Sequence, residues 1–115
     1  MVKYTQEQAL DSTFKALADG TRRAVLLRLA GGPSAISELA DEHDMTLAGM
    51  LKHVRVLEDA GMVRSLKHGR RRICEMRPES CDGVSDWISK ARRRWDERFD
   101  SMERFLEELD DSQPG

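Results

Sequence analysis

The stretch Thr46-Leu47-Ala48-Gly49-Met50-Leu51-Lys52-His53-Val54-Arg55-Val56-Leu57-Glu58-Asp59-Ala60, followed by Gly61-Met62-Val63, decides how the rest of the chain is read. Thr46 can cap a helix, Met50, Val54 and Leu57 fall at i, i+4 and i+7 on one face, and Gly61 stops it. One face is therefore for burial. The other carries Leu47, Leu51, Lys52 and Arg55, which must meet solvent or a partner. Just upstream lies a shorter helical pattern, Ser34 to Glu42, separated by the polar pair His43-Asp44. Two helices joined by so tight a turn suggest a helix-turn-helix, whose second helix can enter a DNA major groove.

Two further helices precede this unit. Thr5 and Gln8 form a T-x-x-Q capping box at the start of a helix whose apolar stripe is Leu10, Phe14 and Leu17. Asp19 can cap the next, Thr21 to Ala30, with Val25, Leu26 and Leu29 inward and Arg22, Arg23 and Arg28 in water. Gly31-Gly32-Pro33 closes it, and Ser34 is placed to cap the third helix, where Ile36, Leu39 and Ala40 face inward. After Gly61 the period changes. Met62 to Leu66 and Arg71 to Met76 are too short for stable helices and read as a hairpin, with Lys67-His68-Gly69-Arg70 as its turn. From about residue 82 to 109 a long helix carries Trp87, Ile88, Ala91, Trp95, Phe99, Met102, Phe105 and Leu106 at spacings of three and four. Such a stripe is broader than one short domain covers. The natural cover is a second copy, so Leu10, Phe14 and these residues are the expected dimer interface. The expectation is one domain, residues 1–111, mainly α with a small β-hairpin wing and dimeric through its terminal helices, with a disordered tail at 112–115.

The 115 residues have a net charge of −2, so a nucleic-acid role cannot be argued from overall charge. The distribution says more: residues 46–78 sum to +5 and residues 96–111 to −6, so the basic end surrounds the opening stretch. No apolar run approaches the ~20 residues of a membrane helix, and the N-terminus lacks a signal-peptide core. A cytoplasmic protein with no membrane association is expected. Cys74 and Cys81 form neither a disulfide framework nor a CxxC pair, and reduced thiols are the default. Neither a nucleophile–base pair, a Gly-rich phosphate loop nor an HExxH word is present, so no enzyme and no cofactor are expected.

The order helix, helix, helix-turn-helix, basic hairpin, long helix resembles the winged helix-turn-helix regulators of the ArsR/SmtB family. Three words carry the resemblance. Phe14-Lys15-Ala16-Leu17-Ala18-Asp19 with Thr21-Arg22-Arg23 is similar to the family's FKALADPTRR, with Gly20 in place of the proline. Lys52 to Val63 is similar to KHLRVLEDAGLV, and Gly69-Arg70-Arg71-Arg72 to the wing segment. Where the family commonly has S-x-x-A-V-S, this chain has Thr46-Leu47-Ala48-Gly49-Met50-Leu51. The third helix lacks a Cys-Val-Cys word and the last helix lacks histidine, so the resemblance is to a non-metal-sensing branch, with no metal site. It implies a homodimeric transcriptional repressor that binds double-stranded DNA at an imperfect palindrome in a promoter.

Thr46, Leu47, Leu51, Lys52, His53 and Arg55 on the recognition helix, with Lys67, His68, Arg70 and Arg71 on the wing, are the expected DNA-binding residues. Lys52 and Arg55 suit phosphates or guanine O6/N7. Leu47 and Leu51 have no polar code, so they either touch thymine methyls, leave reading to DNA shape, or pack into the core. His53 reads as a partly buried histidine bonded to a backbone group. Alternation along the strand argues that Arg70 and Arg71 reach out more surely than Arg72. Three other readings stay open: a winged-helix protein-interaction module without a DNA target, a thiol- or metal-responsive sensor using Cys74 and Cys81, and an unknown small-molecule effector at the aromatic dimer interface.

Overall fold

The computed structural model describes residues 5–112. The chain falls into two compact units, one reaching Val84 and the other starting at Ser85. The first holds α1 (Gln6–Leu17), α2 (Gly20–Ala30), β1 (Ser34–Ala35), α3 (Ile36–Glu42), α4 (Leu47–Asp59), β2 (Val63–His68) and β3 (Arg71–Met76). A 3-10 turn, Pro78–Cys81, leads to α5, Asp82–Ser112, most of which forms the second unit. The fold is a mainly helical winged helix-turn-helix. Of the tail expected at 112–115, Ser112 is the last helical residue and 113–115 lie outside the described residues.

Three helices start where a side chain can accept from their free amides. The Thr5 hydroxyl accepts from Gln8 N and the Gln8 side chain from Thr5 N, completing the capping box. Asp19 accepts from Arg22 N at 3.1 Å and Thr46 from Gly49 N at 3.0 Å. The fourth expected cap is corrected. Ser34 lies in β1 opposite Cys74, and the residue before α3 is Ala35, which has no side-chain cap. The Ser34 hydroxyl reaches Glu38 instead. Pairing of β1 with β3 turns the expected hairpin into a three-stranded antiparallel sheet in the order β1-β3-β2.

Backbone geometry makes the turn between α3 and α4. Met45 N donates to Ala40 O and Asp44 N to Asp41 O, with Asp44 at φ 55, so α3 ends in a Schellman motif that a short polar side chain tolerates. The same motif closes α4. Met62 N donates to Leu57 O and Gly61 N to Glu58 O, and Gly61 stands at φ 73, where a Cβ is strained. The chain thus leaves α4 pointed into β2.

The core lies where α2, α3, α4 and the sheet converge: Val25, Leu26 and Leu29, then Ile36 and Leu39, then Met50, Val54 and Leu57, with Met62 just before β2 and Val63 and Cys74 from the strands. All inward residues expected on α2, α3 and α4 are buried. Helix α1 departs from expectation. It buries Thr13 and Ala16, while Leu10 and Leu17 are half-buried and Phe14 is 38% exposed. Arg22 and Arg28 are half-buried rather than solvated. Arg22 Nε donates to Ala16 O at 2.7 Å and Nη2 to Lys15 O at 3.1 Å, the latter carbonyl also accepting from Ala18 N at the end of α1. Arg28 pairs with Glu42 at 3.1 Å, joining α2 to α3.

In the second unit, α5 exposes Trp87, Ile88, Trp95, Phe99, Met102, Phe105, Leu106 and Leu109. Residues 88, 91, 95, 99, 102, 106 and 109 recur at threes and fours, which draws one apolar seam along the 31-residue helix.

Candidate nucleic-acid interface

Helix α4 and the wing enclose an open groove of about 560 Å³ within the first unit. Its helical wall is Leu47, Leu51, Val54, Arg55 and Glu58, a single stripe of α4, backed by Ile36 and Ser37 of α3. Its strand wall is Lys67, Arg70, Arg71 and Arg72. Five bases face one acid, so local charge favours a polyanion although the whole chain is slightly acidic.

The wing reaches this position through its turn. Strand β2 runs on to His68, pairing Lys67 with Arg72 and His68 with Arg71. The expected four-residue turn is therefore only Gly69-Arg70, and Gly69 takes φ 64 as the first central residue of a type II′ pattern requires. A network steadies the base of the wing: Arg72 Nε donates to Ser65 Oγ at 3.0 Å, and Ser65 Oγ donates to Glu58 Oε1 at 2.5 Å. Glu58 is thereby engaged on the floor of the groove.

Each expected contact residue has a definite place. Leu47, Leu51, Arg55, Lys67, Arg70 and Arg71 line the groove together. Thr46, Lys52 and His68 are exposed beside it. His53 turns elsewhere. Its Nδ1 lies 3.4 Å from Arg22 Nη1 and 3.9 Å from Asp19 Oδ1, in a cluster joining α2 to the inner side of α4. The backbone-bonded histidine is instead His43, whose Nδ1 is 2.7 Å from Leu39 O. Arg71, expected to reach outward, donates to Glu38 of α3. That hydrogen bond, followed by the one from Ser34, holds the Glu38 carboxyl below its ordinary value. Backbone donation from Arg22 is the main cause that lowers Asp19.

The two leucines separate. Leu51 is half-buried and packed against the core, whereas Leu47, the first helical residue, keeps 52% of its surface exposed. Sequence reasoning missed Arg22, Glu38 and Ser65, whose partners lie 6 to 33 residues away and leave no local pattern.

Cys74 is fully buried, and desolvation, reinforced by Glu58 and Glu75, pushes its thiol up to about 11. A thiol so raised is a poor nucleophile. Cys81 is half-buried, and among the described residues no three His, Cys, Asp or Glu side chains converge as a metal site requires. Nor, among them, is any helix long and apolar enough to cross a membrane.

The same architecture is found among known proteins. A helix-turn-helix domain family matches residues 17–65. The HTH-type transcriptional regulator Rv2034 of Mycobacterium tuberculosis is 41% identical over 68 residues, 59% of this chain and 64% of that protein, so the match spans less than two thirds of it. The crystal structure of an ArsR family transcriptional regulator superposes with a TM-score of 0.73 at 43% identity, covering 84% of this chain and 97% of that one. A homodimeric winged helix-turn-helix DNA-binding domain of Mycobacterium bovis, Mb0332, shares the fold with a TM-score of 0.61 at 22% identity, covering 88% of this chain and 95% of that one.

Proposed function

Because the chain belongs to the ArsR family of transcriptional regulators, we propose that it acts as a homodimeric repressor that occludes a promoter by binding an imperfect palindrome. The observation that carries this reading is the groove, where the exposed Leu47 and Arg55 of α4 line one wall and Lys67 and Arg70 of the wing the other. Helix α4 enters the major groove, Lys52 and Arg55 meet phosphates or guanine, and the wing follows the neighbouring backbone. Thr46 serves chiefly as the helix cap, and His53 supports α4 from behind.

A second copy covers the seam of α5. So long a row of exposed aromatic and aliphatic side chains exceeds what monomers commonly leave in water. Residues 82–97 sum to zero but hold a basic cluster, Lys90, Arg92, Arg93 and Arg94, and residues 98–112 sum to −4, so antiparallel copies set that cluster against Glu103, Glu107, Glu108 and Asp110. Leu10 and Phe14 of α1 belong to the same proposed interface. The hollow at Trp95, Phe99 and Met102 is about 110 Å³, below the size of ordinary ligand pockets, and suits a partner side chain.

Footprinting on the DNA upstream of its own gene tests the proposal. Two protected half-sites about 34–36 Å apart are expected. An unprotected fragment at low salt, or a single unpaired site bound by a monomer, contradicts it.

A further inference from the structure

We propose that Leu47 is a specificity-determining residue that reads thymine methyl groups, an inference that rests on the DNA-binding reading of the same groove. The first turn of α4 is the part of a recognition helix that meets base edges. Here its one polar side chain is Thr46, engaged as the helix cap with only its O–H left to donate. The Thr46 hydroxyl accepts from Gly49 N, and Ala48 and Gly49 have no polar side-chain atoms. Leu47 remains, half exposed at the groove wall, with Leu51 one turn behind it held in core packing.

An isobutyl group cannot hydrogen-bond. Set against guanine O6, cytosine N4 or adenine N6, it leaves those groups dehydrated and unpaired. The thymine C5 methyl is the apolar feature of the major-groove edge, and contact there removes apolar surface from water on both sides. The basic walls hold the duplex while the leucine selects within it. Two other exposed leucines of this unit, Leu27 on α2 and Leu66 on β2, lie outside the groove lining, so exposure alone does not mark Leu47.

The test uses the full chain and a duplex that it selects from a randomised pool, with thymines replaced one at a time by deoxyuridine, which lacks only the methyl. At least one thymine in each half-site should show about a fourfold loss of affinity on replacement, the scale of one buried methyl. Leu47→Ala should bind thymine and deoxyuridine duplexes equally, with an unchanged circular dichroism spectrum, while Leu66→Ala keeps the difference. Equal wild-type binding to every deoxyuridine duplex, or full methyl dependence in Leu47→Ala, overturns the proposal. If no duplex is enriched and no salt-dependent binding is seen, the DNA-binding reading itself fails and the inference falls with it.

Discussion

Arg71 on the wing donates to Glu38 on α3, so the wing, proposed to follow the DNA backbone, is latched to the first helix of the helix-turn-helix. The latch draws one cation of the groove partly away from phosphate and adds a carboxylate beside it. Both groups are exposed, so the pair itself is worth little. Its sign for DNA binding is definite. Glu38→Gln should tighten binding on the order of threefold at low salt and steepen the log-log salt slope by up to about 0.9, because Arg71 is then free for phosphate. The pH dependence has the sign of a depressed carboxyl: the latch is complete above Glu38's unfolded-state value and is lost as pH falls through the lower folded one. Hydrogen exchange of the wing amides in Glu38→Gln should match the wild type in acid and exceed it at neutral pH.

Arg55 and Arg70 face the groove from opposite walls. Replacing either by alanine should weaken binding across all sequences and lower the salt slope by about 0.9, if each contacts one phosphate. Arg71→Ala should cost less than Arg70→Ala because part of its charge is already spent on Glu38. Anisotropy titrations at several salt concentrations measure both effects. Unchanged slopes would place the contact surface elsewhere.

Arg22 ties the end of α1 to α4 through Ala16 O, Lys15 O and His53. Hydrogen bonds from a charged donor in a half-buried place are worth about 1.5–3 kcal/mol, so urea unfolding of Arg22→Ala should show a loss in that range. Lysine cannot restore it, since one ammonium does not reproduce the planar fork. Full stability in Arg22→Lys would contradict this role.

Much of this architecture was legible because it is local. The caps at Thr5, Asp19 and Thr46, the stop at Gly61 and the burial of Met50, Val54 and Leu57 follow from residues within one or two turns. Ser34 shows the limit. A serine before an apolar helical run reads as a cap, but its backbone pairs with Cys74, forty residues on, and that pairing wins. The wing illustrates the same point: runs too short for helices located both strands, whereas cross-strand register alone makes Lys67 and His68 strand residues rather than turn. At the groove, the leucine pair was ambiguous from periodicity, and only packing against the core separates Leu51 from Leu47.

Cys74, buried and raised to about 11, should resist alkylation in the native protein at pH 8, while Cys81 reacts first. The raised value means that the folded state keeps its thiol proton where the unfolded chain loses it. Stability from this site is therefore complete below the unfolded-state value and is lost as pH rises through about 11. Mass spectrometry after a timed iodoacetamide pulse reads the order, and rapid native labelling of Cys74 would reopen the thiol-sensor reading.

Trp95 and Phe99 lie on the seam of α5, with 69% and 52% of their surfaces exposed. The double variant Trp95→Glu, Phe99→Glu should sediment as a monomer and lose the avidity of two linked recognition helices. A monomeric wild type would contradict the dimer, and a dimer that survives the double variant would place the interface elsewhere.

The groove between α4 and the wing is proposed to bind the DNA backbone while α4 reads bases. The most direct test of this proposal is the affinity of the wild-type chain for its selected duplex, measured across salt concentration. A linear fall of log affinity with log salt is expected, with a slope of several, since each neutralised phosphate contributes about 0.9. Affinity that does not change with salt would contradict it.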